Sequence, residues 1–254
     1  MRIYPFSQTS HIVTWLTRNF GKITTVIKGA LRPKSLFLGQ YDLFHTCELL
    51  FYTRERNDLH IAKECAPVKT RSELRTDWRS ACCASYVCDA VSRVSLHEHR
   101  QDNVFDLADL TLDEMCSGRN SVQIMFWFEL KLLHALGLSP RFDRCTVCNA
   151  QVADRKPSLF SYEKGGLLCP ACSEIEKSET TVIRPDTLAI LRNWQKSFSA
   201  RTASVTRCTD EQIDCIGRFL GIFLPYHLDF DRMPKSRLIV LKMLSLNRNL
   251  KTGD

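Results

Sequence analysis

The 254-residue sequence lacks the motifs that most often mark an enzyme. No Gly-x-Gly-x-x-Gly follows a strand pattern, no Walker-type loop ends in Gly-Lys-Ser/Thr, and no Gly-x-Ser-x-Gly elbow is present. Phosphate-cradling and serine-hydrolase chemistry therefore have no residues to act through. The His97-Glu98-His99 triplet lacks both the second spaced histidine of a zincin and the His-x-Glu of a zinc deaminase, so His97 and His99 read as solvent-facing polar residues. A non-enzymatic protein without a small-molecule substrate is expected. No apolar run reaches the ~18 residues of a membrane span, because Ile124–Leu138 is interrupted by Glu129, Lys131 and His134. No basic-apolar-small leader opens the chain, whose first ten residues are polar and aromatic. A cytoplasmic location away from membranes is the expectation, and there cysteines serve as thiols or metal ligands rather than disulfides.

Acidic residues are missing from one place in particular. None precedes Asp42, while Arg2, Arg18, Lys22, Lys28, Arg32 and Lys34 are basic. The net charge of +7 divides into +6 over residues 1–80, −4 over 81–180 and +5 over 181–254. A one-signed stretch of this kind attracts polyanions and makes their binding salt-sensitive, although a solvated basic face would give the same count.

With 44% hydrophobic and 25% charged residues, the chain is a globular protein able to bury a core. From Ile12 to Phe51 short β-branched runs (HIVTWLT, KITTVIKGA, SLFLG and LFHTCELLFYT) are separated by glycine or proline, predicting an antiparallel sheet or small barrel. A five-stranded oligonucleotide-binding (OB) barrel fits, and so does an SH3-like one. After Glu64 helical spacing takes over. Asp77 caps a helix to Val94, Asp106–Cys116 forms another, and Ser121–Leu136 reads as the central core helix. Pro185 opens a further helix, Thr209–Gln212 is a capping box, Pro225 should end or kink the helix that follows, and a last helix starts after Pro234. The expected class is α+β, with an OB-like barrel over 1–76 and a helical domain over 77–254 that carries a zinc-ribbon-like insertion at about 143–175.

The most specific signal is Cys145-x2-Cys148 followed, after twenty residues, by Cys169-x2-Cys172. Two such knuckles supply four thiolates to one tetrahedral Zn²⁺ and leave no open coordination position, which makes the expected zinc structural. Leu159–Leu168, with Gly165-Gly166, reads as the hairpin that returns the second knuckle to the first. The other eight of the twelve cysteines show no such pairing and read as small buried side chains.

Taken in order, TWLTRNFGKITTVIKGALRPKS, FWFELKLLHALGLSP leading into CTVC, FSYEKGGLLCPAC and YHLDFDRMPKSRL resemble the RecO family of bacterial recombination mediators. The resemblance spans nearly the whole chain. It implies an OB barrel followed by a helical domain with the four-cysteine zinc insertion. It also implies a cytoplasmic, nucleoid-associated repair factor that binds single- and double-stranded DNA, anneals complementary strands and cooperates with RecR. Contact with the single-stranded DNA-binding protein, and through it help in loading RecA, are implied as well. Family members begin with an extra strand for which only Met1–Tyr4 is available here, so that strand is expected to be short or to begin upstream.

The residues agree with this implication at one point. Arg18, Lys22, Lys28, Arg32 and Lys34 flank the barrel turns and are the candidate DNA-binding set, with Trp15, Phe20 and Phe37 among them; Trp15 reads as core. The basic segment around Lys235, Arg237 and Lys242 would suit an acidic peptide, though a solvated helix face explains it equally simply. Two other classes compete: a zinc-ribbon transcriptional regulator, and a zinc or thiol enzyme using one of the eight remaining cysteines.

Overall fold

The structure, a computed structural model, describes residues 2–54, 58–97, 99–153, 156–176, 178–228 and 233–251, with side chains of the last helix described as far as Met243. It forms two compact units, Met1–Gly118 and Arg119–Asp254.

In the first unit β1 (Arg2–Pro5), β2 (His11–Thr17), β3 (Gly21–Ile27), β4 (Thr46–Tyr52) and β5 (Leu59–Lys69) make one sheet in the order β1-β2-β3-β5-β4. The first three strands pair antiparallel, β3 runs parallel to β5, and β4 returns antiparallel on β5. The parallel β3–β5 pair gives the Greek-key order of an OB-like barrel and not the meander of an SH3-like one. The short first strand is present and pairs along its whole length with β2. Gly21 lies in the left-handed region at φ +61° in the β2–β3 turn, where a Cβ would collide with the carbonyl oxygen of His99. Val13, Ile27, Ala30 and Ala62 form the barrel core, and Trp15, Phe37, Tyr41 and Leu49 pack against it. Trp15 is thus a core residue, its indole N–H donating to Thr25 Oγ1 at 2.9 Å.

Two expectations for this unit fail. The run SLFLG is not a strand: residues 36–40 form turns, and Leu36 is 87% exposed while only Phe37 of its apolar residues reaches the core. The strand β5, in turn, lies where the sequence pattern points to none. Its ladder with β4 passes from Leu50↔Glu64 to Phe51↔Ala62, skipping Lys63, so the bulge places Ala62 and Cys65 both inward and erases the alternation.

Helix α1 (Trp78–Val94) starts at Asp77, whose carboxylate accepts the N–H groups of Arg79 and Ser80. After α1 comes α2 (Asp102–Met115). The first compact unit runs past the strand-to-helix change to Gly118, and α2 is bound to the sheet by a charge network around the buried Arg71. Arg71, buried and left-handed at φ 47°, donates from Nε to Asp113 at 2.7 Å, from Nη1 to the Phe44 carbonyl and Thr46 Oγ1, and from Nη2 to Asp109. Lys69 adds bonds of 2.6 and 2.7 Å to Asp109 and Asp113. Burial pushes the Asp109 carboxyl up, but hydrogen bonds from Lys69, Thr46 and Arg71 outweigh it and hold the group below the usual carboxylate range.

In the second unit α3 (Ser121–Ala135) is the central helix, buried from Gln123 to Leu130 without interruption. The described elements beside it are α4 (Pro170–Ser173), α5 (Pro185–Lys196), α6 (Ala200–Val205), α7 (Asp210–His227), α8 (Lys235–Lys251) and a sheet of order β7-β6-β8. Its strands are β6 (Ser158–Ser161), β7 (Gly166–Leu168) and β8 (Thr180–Ile183). The Thr209–Gln212 capping box is formed in both directions. Pro225 sits in the last turn of α7, which continues to His227, so there is little helix left for the proline to disturb.

Arg237, read from sequence as part of a basic docking face, is buried instead. Its guanidinium bonds Glu129 of α3 twice, Nε–Oε1 at 2.6 Å and Nη2–Oε2 at 3.2 Å, and donates to the Gly217 carbonyl at 3.0 Å. A Cβ at Gly221 would stand only 3.0 Å from Nη1, so the bare face of α7 makes the room this side chain occupies.

Two outcomes are expected. The stabilising share of Asp109 is complete above its unfolded value near 3.8 and is lost as pH falls through the lower folded value, so Asp109→Asn should flatten the acid limb of a stability–pH curve measured by urea unfolding. Arg237→Met should cost about 3–5 kcal/mol by leaving Glu129 charged and buried, and pairing it with Glu129→Leu should restore much of that loss in the same assay.

Candidate metal centre and nucleic-acid interface

The first knuckle is a tight loop. The Cys145 N–H bonds the Ala150 carbonyl at 2.8 Å and the Asn149 N–H returns to the Cys145 carbonyl at 3.0 Å, with Asn149 left-handed at φ 61°. The second knuckle opens α4: Pro170 occupies the first helical position, and the Ser173 N–H bonds the Cys169 carbonyl at 2.9 Å. The expected hairpin is β6–β7, with Ser161 opposite Gly166 and Leu159 opposite Leu168. It is braced against the first knuckle by Thr146 N–H to the Leu167 carbonyl and by reciprocal bonds between Arg141 and the Gly165–Leu167 segment. Gly166 is required there, since a Cβ would come within 2.8 Å of the Thr146 side chain.

The four sulfurs of Cys145, Cys148, Cys169 and Cys172 lie within 4.8 Å of one another, and Cys148 and Cys169 are 3.6 Å apart. Tetrahedral thiolates about 2.3 Å from a central ion would be separated by about 3.8 Å, so the set fits a metal ion with little movement. Burial pushes the Cys145 thiol up, but the backbone N–H groups of Cys148, Cys169 and Val147 outweigh it and bring the thiol down to about 6. Cys172 is pushed up to about 12, chiefly by hydrogen bonds with Cys169 and Cys148. A cation at the centre would favour the thiolate form of all four. With an ion bound, all four coordination positions would come from protein, leaving none for a substrate. The second described unit also holds this insertion through a contact that sequence reasoning missed: His227 Nε2 bonds the Tyr162 carbonyl at 2.8 Å, while its ring packs on Phe223.

The five basic candidates are not brought together. Lys22 and Lys28 stand at the two ends of β3, which at ~3.4 Å per residue puts about 20 Å between them. Arg18 pairs with Asp106 at 2.8 Å, and the half-buried Lys22 ammonium donates to the Ser92 carbonyl at 3.1 Å, with burial pushing its pKa down. These two join the barrel to its helices. Lys28, Arg32 and Lys34, on the β3–β4 loop, are exposed, and among the described residues no carboxylate pairs with them. Phe37 on the same loop faces the core, whereas Phe20 at the other end is half-exposed and meets Phe51 edge-on at 5.8 Å. His97 bridges to Lys22 in the sheet, and Glu98 of its triplet lies outside the described residues. Among the described residues no helix is long and apolar enough to cross a membrane.

Comparison with known proteins adds a family. The profile "Recombination protein O N terminal" matches residues 1–71 and "Recombination protein O C terminal" matches residues 75–237. The "DNA repair protein RecO" of Syntrophus aciditrophicus (strain SB) is 30% identical over 190 residues, 75% of this chain and 71% of that protein. The protein of the same name from Prosthecochloris aestuarii is 21% identical over 243 residues, 92% of each chain. That of Rhodopirellula baltica is 33% identical over 182 residues, 68% of this chain and 64% of the relative.

The four-sulfur geometry carries its own expectation. Elemental analysis of protein purified under reducing conditions should find one metal ion per chain, and Cys145→Ser or Cys169→Ser should lose that ion and lower the thermal midpoint by several degrees.

Proposed function

The chain belongs to the RecO family of DNA repair proteins, and on that footing we propose that it is a non-enzymatic recombination mediator: it binds single- and double-stranded DNA, anneals complementary strands and, with RecR, helps load RecA onto strands coated by the single-stranded DNA-binding protein. The observation that carries the DNA-binding part is the exposed Lys28, Arg32 and Lys34 cluster on the β3–β4 loop of an OB-like barrel. Such a cluster neutralises phosphates without reading bases, which is the electrostatic part of sequence-independent strand binding. Arg18 and Lys22 contribute less directly, one sharing its charge with Asp106 and the other bound to Ser92.

The metal is zinc, held structurally by Cys145, Cys148, Cys169 and Cys172. Four thiolates in tetrahedral reach of one another suit zinc better than the hard cations that prefer oxygen. A cytoplasmic, nucleoid-associated location follows from this role. The reading as a zinc-ribbon transcriptional regulator finds less support, since base readout would need a basic element at the knuckles and the segment around them, 81–180, has a net charge of −4.

Replacing Lys28, Arg32 and Lys34 together by Glu should weaken single-strand binding on every sequence tested. It should also flatten the plot of log affinity against log salt by about 2, some 0.7 for each phosphate no longer neutralised. Unchanged affinity and slope would remove the loop as the DNA face. Strand annealing with and without the cognate single-strand-binding protein separates the mediator from the regulator, because only the mediator acts on coated DNA.

A further inference from the structure

Two of the eight cysteines outside the metal site meet on the barrel. Cys47 lies on β4 and Cys65 on β5, on the same face: Cys47 stands opposite Pro67 and Leu49 opposite Cys65, so the two cysteines are diagonal neighbours across the ladder. Both thiols donate to one acceptor, the carbonyl oxygen of Gln40, with Sγ–O distances of 3.5 Å from Cys47 and 3.7 Å from Cys65. Gln40 belongs to the β3–β4 loop, the segment carrying Lys28, Arg32 and Lys34. Cys65 is buried and Cys47 is only partly buried, so a small solute reaches Cys47 first. When Cys47 ionises, the single Cys65 S–H turns from the Gln40 carbonyl to the Cys47 sulfur; that bond lowers the Cys47 thiol and raises the Cys65 thiol, which burial raises further. Cys47 is thereby the more reactive sulfur and Cys65 the one placed to follow it.

We propose that Cys47 and Cys65 are a modification site, a dithiol that hydrogen peroxide converts to a disulfide, and that this oxidation releases the Gln40 carbonyl and loosens the basic loop. In the first step the Cys47 thiolate attacks one peroxide oxygen and the O–O bond breaks, giving a sulfenic acid and hydroxide, which takes up the proton Cys47 had shed and becomes water. In the second the Cys65 sulfur attacks the Cys47 sulfur, the S–OH bond breaks, and the departing hydroxide leaves as water with the Cys65 proton. Two thiols lose two electrons and one peroxide is reduced to two waters.

The fold permits the bond and ties it to the loop. Diagonal neighbours in an antiparallel ladder have Cα atoms about 7–8 Å apart, just beyond the roughly 4.4–6.8 Å of a disulfide, so β4 must shift by about an ångström. It is the last strand of the sheet order, and its ladder with β5 already slips between Thr46 and Cys47, so a shift there disturbs no second neighbour among the described strands. Once linked, neither sulfur has a hydrogen to donate, and the Gln40 carbonyl loses both its thiol partners. The loop keeps its other anchors: Phe37 and Tyr41 on the core, Asp42 paired with Arg75 at 2.6 Å, and the Phe44 carbonyl bonded to Arg71. It is therefore slackened around Gln40 and not unfolded.

The test uses the full-length, metal-loaded protein. After mild hydrogen peroxide and alkylation of remaining thiols, peptide mapping should recover a Cys47–Cys65 linked peptide before Cys82, Cys83, Cys88, Cys116, Cys208 or Cys215 is consumed. Backbone amides of residues 38–43 should exchange hydrogen about fivefold faster in the linked form, the factor expected when the equivalent of one ordinary hydrogen bond is removed. In Cys65→Ser the sulfenic acid should persist at Cys47 and be trapped by dimedone, and Cys47→Ser should leave Cys65 reduced. Cys47 accumulating as sulfinic acid in the wild-type protein without a linked peptide, or both thiols staying alkylatable while other cysteines react, would overturn the proposal. A linked form with unchanged exchange at 38–43 would equally overturn the coupling to the loop. No DNA enters these measurements, so their outcome is independent of the loop's proposed role in binding it.

Discussion

A guanidinium taken out of water must hand its N–H groups to acceptors, and each compact unit is organised around meeting that demand once. In the first, Arg71 draws the end of β5, the approach to β4 and the helix α2 to one point, because its acceptors are the Phe44 carbonyl, Thr46, Asp109 and Asp113. In the second, Arg237 draws α3 and α7 onto the start of α8 through Glu129 and the Gly217 carbonyl. Neither interaction is a large source of net stability, since desolvation offsets most of the attraction. What each supplies is specificity: the wrong arrangement strands a charge, which apolar packing alone would not penalise so sharply.

The metal centre answers a different shortage. The insertion between α3 and α5 has a three-stranded sheet whose strands are only three or four residues long. Four sulfurs close enough to share one ion add a second fastening there, while Phe142, Phe160 and Tyr162 carry the insertion's apolar side onto Phe219 and Phe223 of α7. The barrel needs no such clamp, because Val13, Ile27, Ala30 and Ala62 with their neighbours already form one.

How much of this could be read from the sequence depended on how local the signal was. Asp77, Pro185 and the Thr209–Gln212 box each declare a helix start within four residues, and all three helices begin where they say. The cysteine knuckles are equally local, so the convergence of the four cysteines was legible, and the comparisons place both family segments where the motifs ran. Long-range pairing was not legible. Arg237 looks like a surface cation beside Lys235 until Glu129, 108 positions earlier, is seen to meet it. Counting charge over the first forty residues could not show that Arg18 and Lys22 bond to the helices while Lys28, Arg32 and Lys34 remain exposed. The strand β5 was hidden for a related reason: its bulges and Pro67 break the alternation by which strands are recognised. Nothing in the spacing of Cys47 and Cys65 hinted that they share an acceptor, because the loop that supplies it is placed by the barrel and not by either strand.

The bond between Arg71 and α2 also bears on how the chain can be inherited in parts. The matched N-terminal segment ends at residue 71, yet the acids that satisfy Arg71 and Lys69 lie at 109 and 113, well inside the matched C-terminal segment. A recombination event that exchanged the barrel alone between relatives would separate a buried cation from its carboxylates unless both parents carried the same network. The natural unit of exchange is accordingly the barrel together with its first two helices, ending near Gly118, and divergence in the one should be held in step with divergence in the other.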